Sequence, residues 1–205
     1  MAARDQHWLL SSIDQHLMSF DSQRAPDGYF HPSAISSNAG IECDRYLVYT
    51  LYIHVRSRVD ARTMRIFSVG DDMHNRIQRW LEEMGVLVLH ESPDMGRQRE
   101  HPIHVPFPPI RGNSDGVLLK PNSKQFYVLE LKTINHMAFK AMIAPKKNHS
   151  VQIGVYMGAL GIYRGIILYE SKDTQEYKLY EENLDLEWYG ELLQRLTGIY
   201  EKYMN

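Results

Sequence analysis

Apolar residues recur at helical spacing in several long stretches of this chain and gather into shorter runs between them. Trp8, Leu9, Ile13, Leu17 and Phe20 fit one face of a helix, so the segment from about Arg4 to Phe20 predicts a first amphipathic helix. Asp21 to Pro32 reads as a loop. The lead-in Ser33-Ala34-Ile35-Ser36-Ser37 precedes a second helical stretch to about Tyr52, in which Tyr46, Tyr49 and Tyr52 are expected to pack in the core. From Ile66 to Met84 apolar residues return every three or four positions, with His74 on the same face, and the pattern stops at Gly85, a helix C-terminal signal. Val86 to Glu91 predicts a strand and Ser92 to Arg97 a loop. His101 to Ile110 holds four prolines and predicts a short extended edge segment, because proline cannot donate to a central ladder.

The next segment changes character. Phe126-Tyr127-Val128-Leu129-Glu130-Leu131-Lys132 is an apolar run interrupted by an acid and a base, and Asp115 lies in another apolar segment just upstream. Leu119 to Lys124 has the Pro/Asn/Ser chemistry of a tight turn, which folds the Asp115 segment back antiparallel onto the Glu130 strand. Side chains alternate along a strand, so Glu130 and Lys132 share a face, about 6–7 Å apart. A charge buried there needs a partner or a metal. Two carboxylates suit a hard cation such as magnesium or manganese, which would supply the nucleophile, with Lys132 beside the attacking water or the scissile phosphate. A surface salt bridge from Glu130 to Lys132 is the plainer reading of the same pair.

Beyond this hairpin, Met137 to Met142 predicts a short helix that Ala144 to His149 breaks. A helix follows from about Ser150 to Leu160, closed by Gly161, with Gln152 and Tyr156 four apart on one face. Gly165 to Glu170 and Glu176 to Tyr180 predict two strands around the polar turn Ser171 to Gln175. A last helix from about Leu184 to Tyr203 turns Trp188, Leu192, Leu196, Ile199 and Tyr203 inward. No repeat, linker or low-complexity segment divides the chain.

Composition narrows the classes. With 205 residues, 43% hydrophobic and 23% charged, the sequence predicts one soluble globular domain, and no apolar run reaches a membrane span. The N-terminal residues lack a signal-peptide core, so a cytoplasmic location is expected. The single cysteine, Cys43, excludes an intramolecular disulfide, a four-cysteine zinc site and a cysteine-ligated iron–sulfur cluster built from this chain alone. The ten histidines leave a histidine–carboxylate metal site open. A net charge of −2 argues against a protein that coats nucleic acid through a uniform positive field, and leaves room for a localised groove.

Taken in order, Gly70-Asp71-Asp72-Met73-His74, Gly112-Asn113-Ser114-Asp115-Gly116, Glu130-Leu131-Lys132 and Gln152-Ile153-Gly154-Val155-Tyr156 resemble the RecB-type branch of the PD-(D/E)XK nuclease superfamily. The resemblance runs from about residue 33 to 180, and its Ser-Ala-Ile-Ser-Ser lead-in and Cys43-x-Arg45 look like the opening of CRISPR adaptation nucleases and RecB-like phage exonucleases. It implies an α/β restriction-endonuclease-like fold, a central mixed sheet flanked by helices, with an N-terminal helical part over the cleft. Its parts would be residues 1–65, a catalytic core at 66–180 and a C-terminal helix at 181–205. It also implies that His74, Asp115, Glu130 and the carbonyl of Leu131 ligate Mg2+ or Mn2+. Lys132 would be the catalytic lysine, with Asp115 and Glu130 as the other catalytic residues. Gln152 and Tyr156 would line the DNA path, and Lys172 would be either a further DNA contact or a solvated lysine.

Two positions depart from the pattern. Ser114 stands where the superfamily's name-giving proline would be. Cys43 matches the first of four cysteines in iron–sulfur members, yet no cysteine follows Tyr156, so no cluster is expected and Cys43 should be a buried apolar residue. The expected activity is a metal-dependent DNA exonuclease of viral or mobile-element type, acting on DNA ends in recombination, repair or replication, alone or with proteins of those processes. A structure-selective flap or branch endonuclease and a non-catalytic DNA-binding module of the same fold are the alternatives.

Overall fold

The computed structural model describes residues 8–19, 26–52 and 59–204. Helix α1 (Trp8–Ser19) is followed by three short helices, α2 (Pro32–Ile35), α3 (Asn38–Glu42) and α4 (Asp44–Tyr52), and by the long α5 (Ala61–Glu83). Strands β1 (Leu87–Val88), β2 (His90–Ser92), β3 (Gly96–Gln98), β4 (His101–Val105), β5 (Ile110–Ser114), β6 (Gly116–Leu119) and β7 (Phe126–Ile134) come next. Then α6 (His136–Ala141), α7 (Lys147–Leu160), β8 (Arg164–Ser171), β9 (Tyr177–Asn183) and α8 (Leu186–Met204) complete the order. Among the described residues no helix is long and apolar enough to cross a membrane.

One five-stranded mixed sheet, in the order β1-β6-β7-β8-β9, organises these elements, and its single parallel pair is β7 with β8. That pair needs a crossover, which α6 and α7 supply. Hairpins β2–β3 and β4–β5 stand as separate two-stranded sheets. Alternation along β7 divides the core. Val128 and Ile134 join Ile153, Met157, Ile167, Leu196 and Ile199 on the side of α7 and α8, while Leu129 and Leu131 meet Met73 and Ile77 of α5 on the other. Glycine in α7 sets how near α8 comes: a Cβ on Gly154 would lie 2.7 Å from the Trp188 ring.

Several sequence expectations hold. The β6–β7 hairpin forms in antiparallel register, Gly116 opposite Leu129. Helix α5 ends where Gly85 takes the left-handed φ of 69°, though it starts five residues before Ile66, at Ala61, capped by Asp60, whose carboxylate accepts from the Thr63 N–H at 2.7 Å. Other expectations are corrected. The stretch leading to Tyr52 is three helices, and it begins one residue before the Ser33–Ser37 lead-in, because Pro32 opens α2 and Ser37 caps α3 by accepting from the Gly40 N–H. Tyr49 and Tyr52 are exposed, since the buried residues of α4 are Leu47 and Leu51. Cys43 is exposed rather than buried, as it sits in extended backbone between α3 and α4.

The stripe on α5 is also narrower than its spacing implies. Ile66, Phe67, Trp80 and Met84 are exposed, because the helix meets the sheet through Met73, Ile77 and Gln78. Tyr203 is likewise exposed on α8. The strand expected over Val86–Glu91 divides at Leu89 between two sheets, and the loop after it is the tip and second strand of a hairpin. The helix expected from Ser150 starts three residues earlier, at Lys147. Arg4 to His7 and Phe20 of the first predicted helix lie outside the described residues, as do residues 21–25 of the loop after it.

Candidate active site

The middle of β7 carries Glu130, 1% exposed, and the register that puts Gly116 opposite Leu129 brings Asp115 beside Glu130. Asp115 is held at three points. Its Oδ2 accepts from the Leu131 N–H at 2.6 Å, its Oδ1 lies 3.3 Å from His74 Nδ1, and its carbonyl accepts from Gln78 Nε2 at 2.7 Å. His74 and Gln78 are one helical turn apart, so α5 fixes this aspartate by side chain and backbone together. Gln78, only 4% exposed, escaped the sequence reading; its signal was a polar residue within the stripe that contains Met73 and Ile77.

From the other side, the Lys132 ammonium is 2.5 Å from Glu130 Oε1 and donates to Gln152 Oε1 at 3.2 Å. The Gln152 amide donates in turn to the Tyr156 hydroxyl at 3.4 Å. Helix α7 thus reaches the site through Gln152, while the Tyr156 ring is 5% exposed and offers little face for stacking. Lys172 is half-buried in the turn after β8, where its N–H donates to the Ile134 carbonyl at 2.9 Å, two residues beyond Lys132. His149 and Tyr169 were also missed. His149 Nδ1 lies 2.7 Å from the Tyr169 hydroxyl, and Tyr169 pairs with Lys132 in the β7–β8 register. The earlier start of α7 is what places His149, Gln152 and Tyr156 on one stripe.

The electrostatics are those of crowded like charges. Burial, and then the neighbouring Asp115 charge, raise Glu130 to about 7 against the pull of Lys132. Burial pushes Lys132 down, but Glu130 and Asp115 outweigh it and the ammonium is held charged. His74 is likewise raised, because the contact with Asp115 exceeds the effect of its own burial. Oxygen from two carboxylates and nitrogen from an imidazole make a donor set that fits a divalent cation such as magnesium or manganese, and the carboxylate pair is short of positive charge. As arranged, Glu130 is engaged by Lys132 and Asp115 by His74, and among the described residues no three such groups stand together as a ready ion site. A cavity of about 600 Å³ at the β6–β7 turn, lined by Met84 to Val86 and Leu119 to Lys124, shares no residue with this cluster.

No family model and no curated protein sequence matches the chain. Solved structures do. They share its fold, a mixed α/β one with a central mixed sheet and helices on its faces. LHK-Exo in complex with dAMP superposes with a TM-score of 0.60 at 15% identity, covering 85% of this chain and 87% of that one. An alkaline exonuclease (LHK-Exo) from Laribacter hongkongensis gives 0.59 at 14% identity, over 94% and 91%. The structure of SSO0001 gives 0.58 at 17% identity, over 98% and 89%. At these identities the likeness is one of fold.

Proposed function

We propose that the chain is a metal-dependent deoxyribonuclease of the RecB-type branch, an exonuclease that hydrolyses phosphodiester bonds in DNA. The observation that carries this reading is the meeting of Asp115, Glu130 and Lys132 at one point of the sheet, with His74 against the aspartate. His74, Asp115, Glu130 and the Leu131 carbonyl would hold magnesium or manganese, which supplies Lewis-acid charge beside the scissile phosphate. Lys132 stays protonated between two carboxylates, so it acts by electrostatics: its ammonium stabilises negative charge on the attacking oxygen and on the phosphoryl oxygens rather than taking the proton. Gln152 accepts a further hydrogen of the ammonium and so orients it between Glu130 and α7. Gln78 and the Leu131 N–H hold Asp115 in place before substrate arrives.

The exonuclease fold, and a fold neighbour solved with dAMP, support DNA as the substrate. Residues 1–205 form one nuclease domain in this reading, active in the cytoplasm, or the host cytoplasm for a viral chain, in recombination, repair or replication. Lys172 contacts DNA beside the strand ends. The test compares wild type with Lys132→Ala on end-labelled single- and double-stranded DNA, with manganese and with chelator. Wild type degrades at least one of the two, and only with the metal, and the variant is inactive; equal activity in the two proteins overturns the assignment. A circular single strand resists an exonuclease, whereas a flap or branch endonuclease nicks its own structured substrate internally.

A further inference from the structure

We propose that His149 binds a phosphate of the DNA strand next to the scissile one, through a neutral Nε2–H that Tyr169 orients. This inference rests on the nuclease reading and adds a residue that the four sequence motifs do not include. Tyr169 is fully buried on β8, and its hydroxyl accepts from the Lys146 N–H at 3.1 Å. A buried hydroxyl proton needs an acceptor, and His149 Nδ1 stands 2.7 Å away. With Nδ1 accepting, the ring carries its proton on Nε2. That nitrogen has no protein partner among the described residues, and the ring is half-buried, so the donor is left for a ligand.

The surroundings select an anion and keep the ring uncharged. His149 lies in the first turn of the fourteen-residue α7, three residues before Gln152, which is bonded to Lys132. Burial, then the charges of Lys132 and Lys146, push the imidazole down to about 3, which favours the neutral ring. The two lysines that hold off a proton also attract a phosphate, and the positive end of the helix adds to this. In this proposal, a strand whose scissile phosphate meets Lys132 has its next phosphate at His149, on the same helix and one turn before the Gln152 that holds Lys132. The ring is a fixed donor, carried on a helix and braced by a tyrosine from a central strand, and it reads position rather than base.

The test measures binding of a fluorescein-labelled single-stranded oligonucleotide by anisotropy in calcium, and kcat and KM in manganese, for wild type, His149→Ala, His149→Asn and Tyr169→Phe. His149→Ala weakens binding and raises KM about tenfold, with kcat changed far less, and His149→Asn, still a neutral donor, recovers part of the loss. Tyr169→Phe gives a smaller loss of the same kind. Because a neutral donor releases no counterion, the salt dependence of binding is unchanged in His149→Ala, whereas Lys146→Ala lowers it. A methylphosphonate at the phosphate beside the scissile one weakens wild type by more than it weakens His149→Ala, which keeps only the attraction of the lysines and the helix end. Unchanged KM in both His149 variants, or additive losses with the methylphosphonate, overturns the proposal. If Lys132→Ala is inactive in the same assays, the nuclease reading survives that failure; if Lys132→Ala is as active as wild type, or wild type neither binds nor cleaves DNA, both fall together.

Discussion

Two glutamates are buried on the adjacent parallel strands β7 and β8, and their surroundings are opposite. Glu170 on β8 is 4% exposed, and both of its oxygens accept from Arg76 Nη2 at 2.5 Å. Arg76 also lies over the Trp80 ring, 5.3 Å from its centroid, so this pair ties α5 to the sheet and leaves the carboxylate satisfied. Glu130 on β7 is as deeply buried, but it meets a second carboxylate, and the ammonium of Lys132 that pairs with it is shared with Gln152. A carboxylate closed off by a guanidinium is a bolt. One crowded by its own kind is held at a disadvantage that a cation relieves, so we assign the second to the proposed site and the first to the frame.

The largest effect separating them is catalytic. Lys132→Ala is expected to lower kcat by about a thousandfold or more, while Arg76→Ala leaves activity per folded molecule near wild type, as read by single-turnover cleavage at low temperature. A comparable loss from Arg76→Ala in folded protein would move that pair into the site. Stability reverses the order. Arg76→Ala strands a buried carboxylate and costs about 3 kcal/mol in urea unfolding, whereas Glu130→Gln at pH 8 stays within about 1 kcal/mol of wild type or is more stable. The sign follows from the direction of the shift. A carboxyl raised to about 7 in the folded chain favours folding when protonated, so its ionisation weighs against the fold most fully above pH 7 and least below its unfolded value.

The same shift sets how metal binding responds to acid. Manganese affinity, followed by calorimetry, is expected to fall toward tenfold per pH unit below about 7, because protonated Glu130 cannot ligate; a flat profile between pH 7 and 5 would exclude Glu130 as a ligand. The smallest effect belongs to the α7 contact. Gln152→Ala removes one acceptor from Lys132 and should cut kcat about fivefold to tenfold, with little change in unfolding midpoint. A loss as large as that of Lys132→Ala would mean that Gln152 touches the substrate itself.

Much of this site was legible because strand periodicity and turn chemistry are local. The alternation around Glu130 and Lys132, the Pro-Asn-Ser turn and the Gly85 and Gly161 stops all act within a few residues, and all appear where the sequence places them. What escaped depends on which face a distant element covers. Cys43 carries an apolar side chain, yet the break between two short helices leaves it exposed. Ile66 and Phe67 have the spacing of a buried stripe, but the sheet packs on the later turns of α5, around Met73, Ile77 and Leu81. The sequence places His149 in a helix-breaking segment, whereas α7 starts at Lys147 rather than Ser150 and turns it onto the stripe of Gln152.

The sequence by itself determined the hairpin, the common face of Glu130 and Lys132 and the order of the candidate groups, since these follow from alternation along one strand and from turns closed by neighbouring residues. Tertiary structure alone decided how those groups are held. The grip of α5 on Asp115 through His74 and Gln78, the bond from Lys132 to Gln152, the bracing of His149 by Tyr169 and the closed pair of Arg76 with Glu170 all join residues far apart in the chain. Such contacts exist only once the core has packed, because hydrophobic burial fixes which helix lies over which strand and polar side chains then take the partners left within reach.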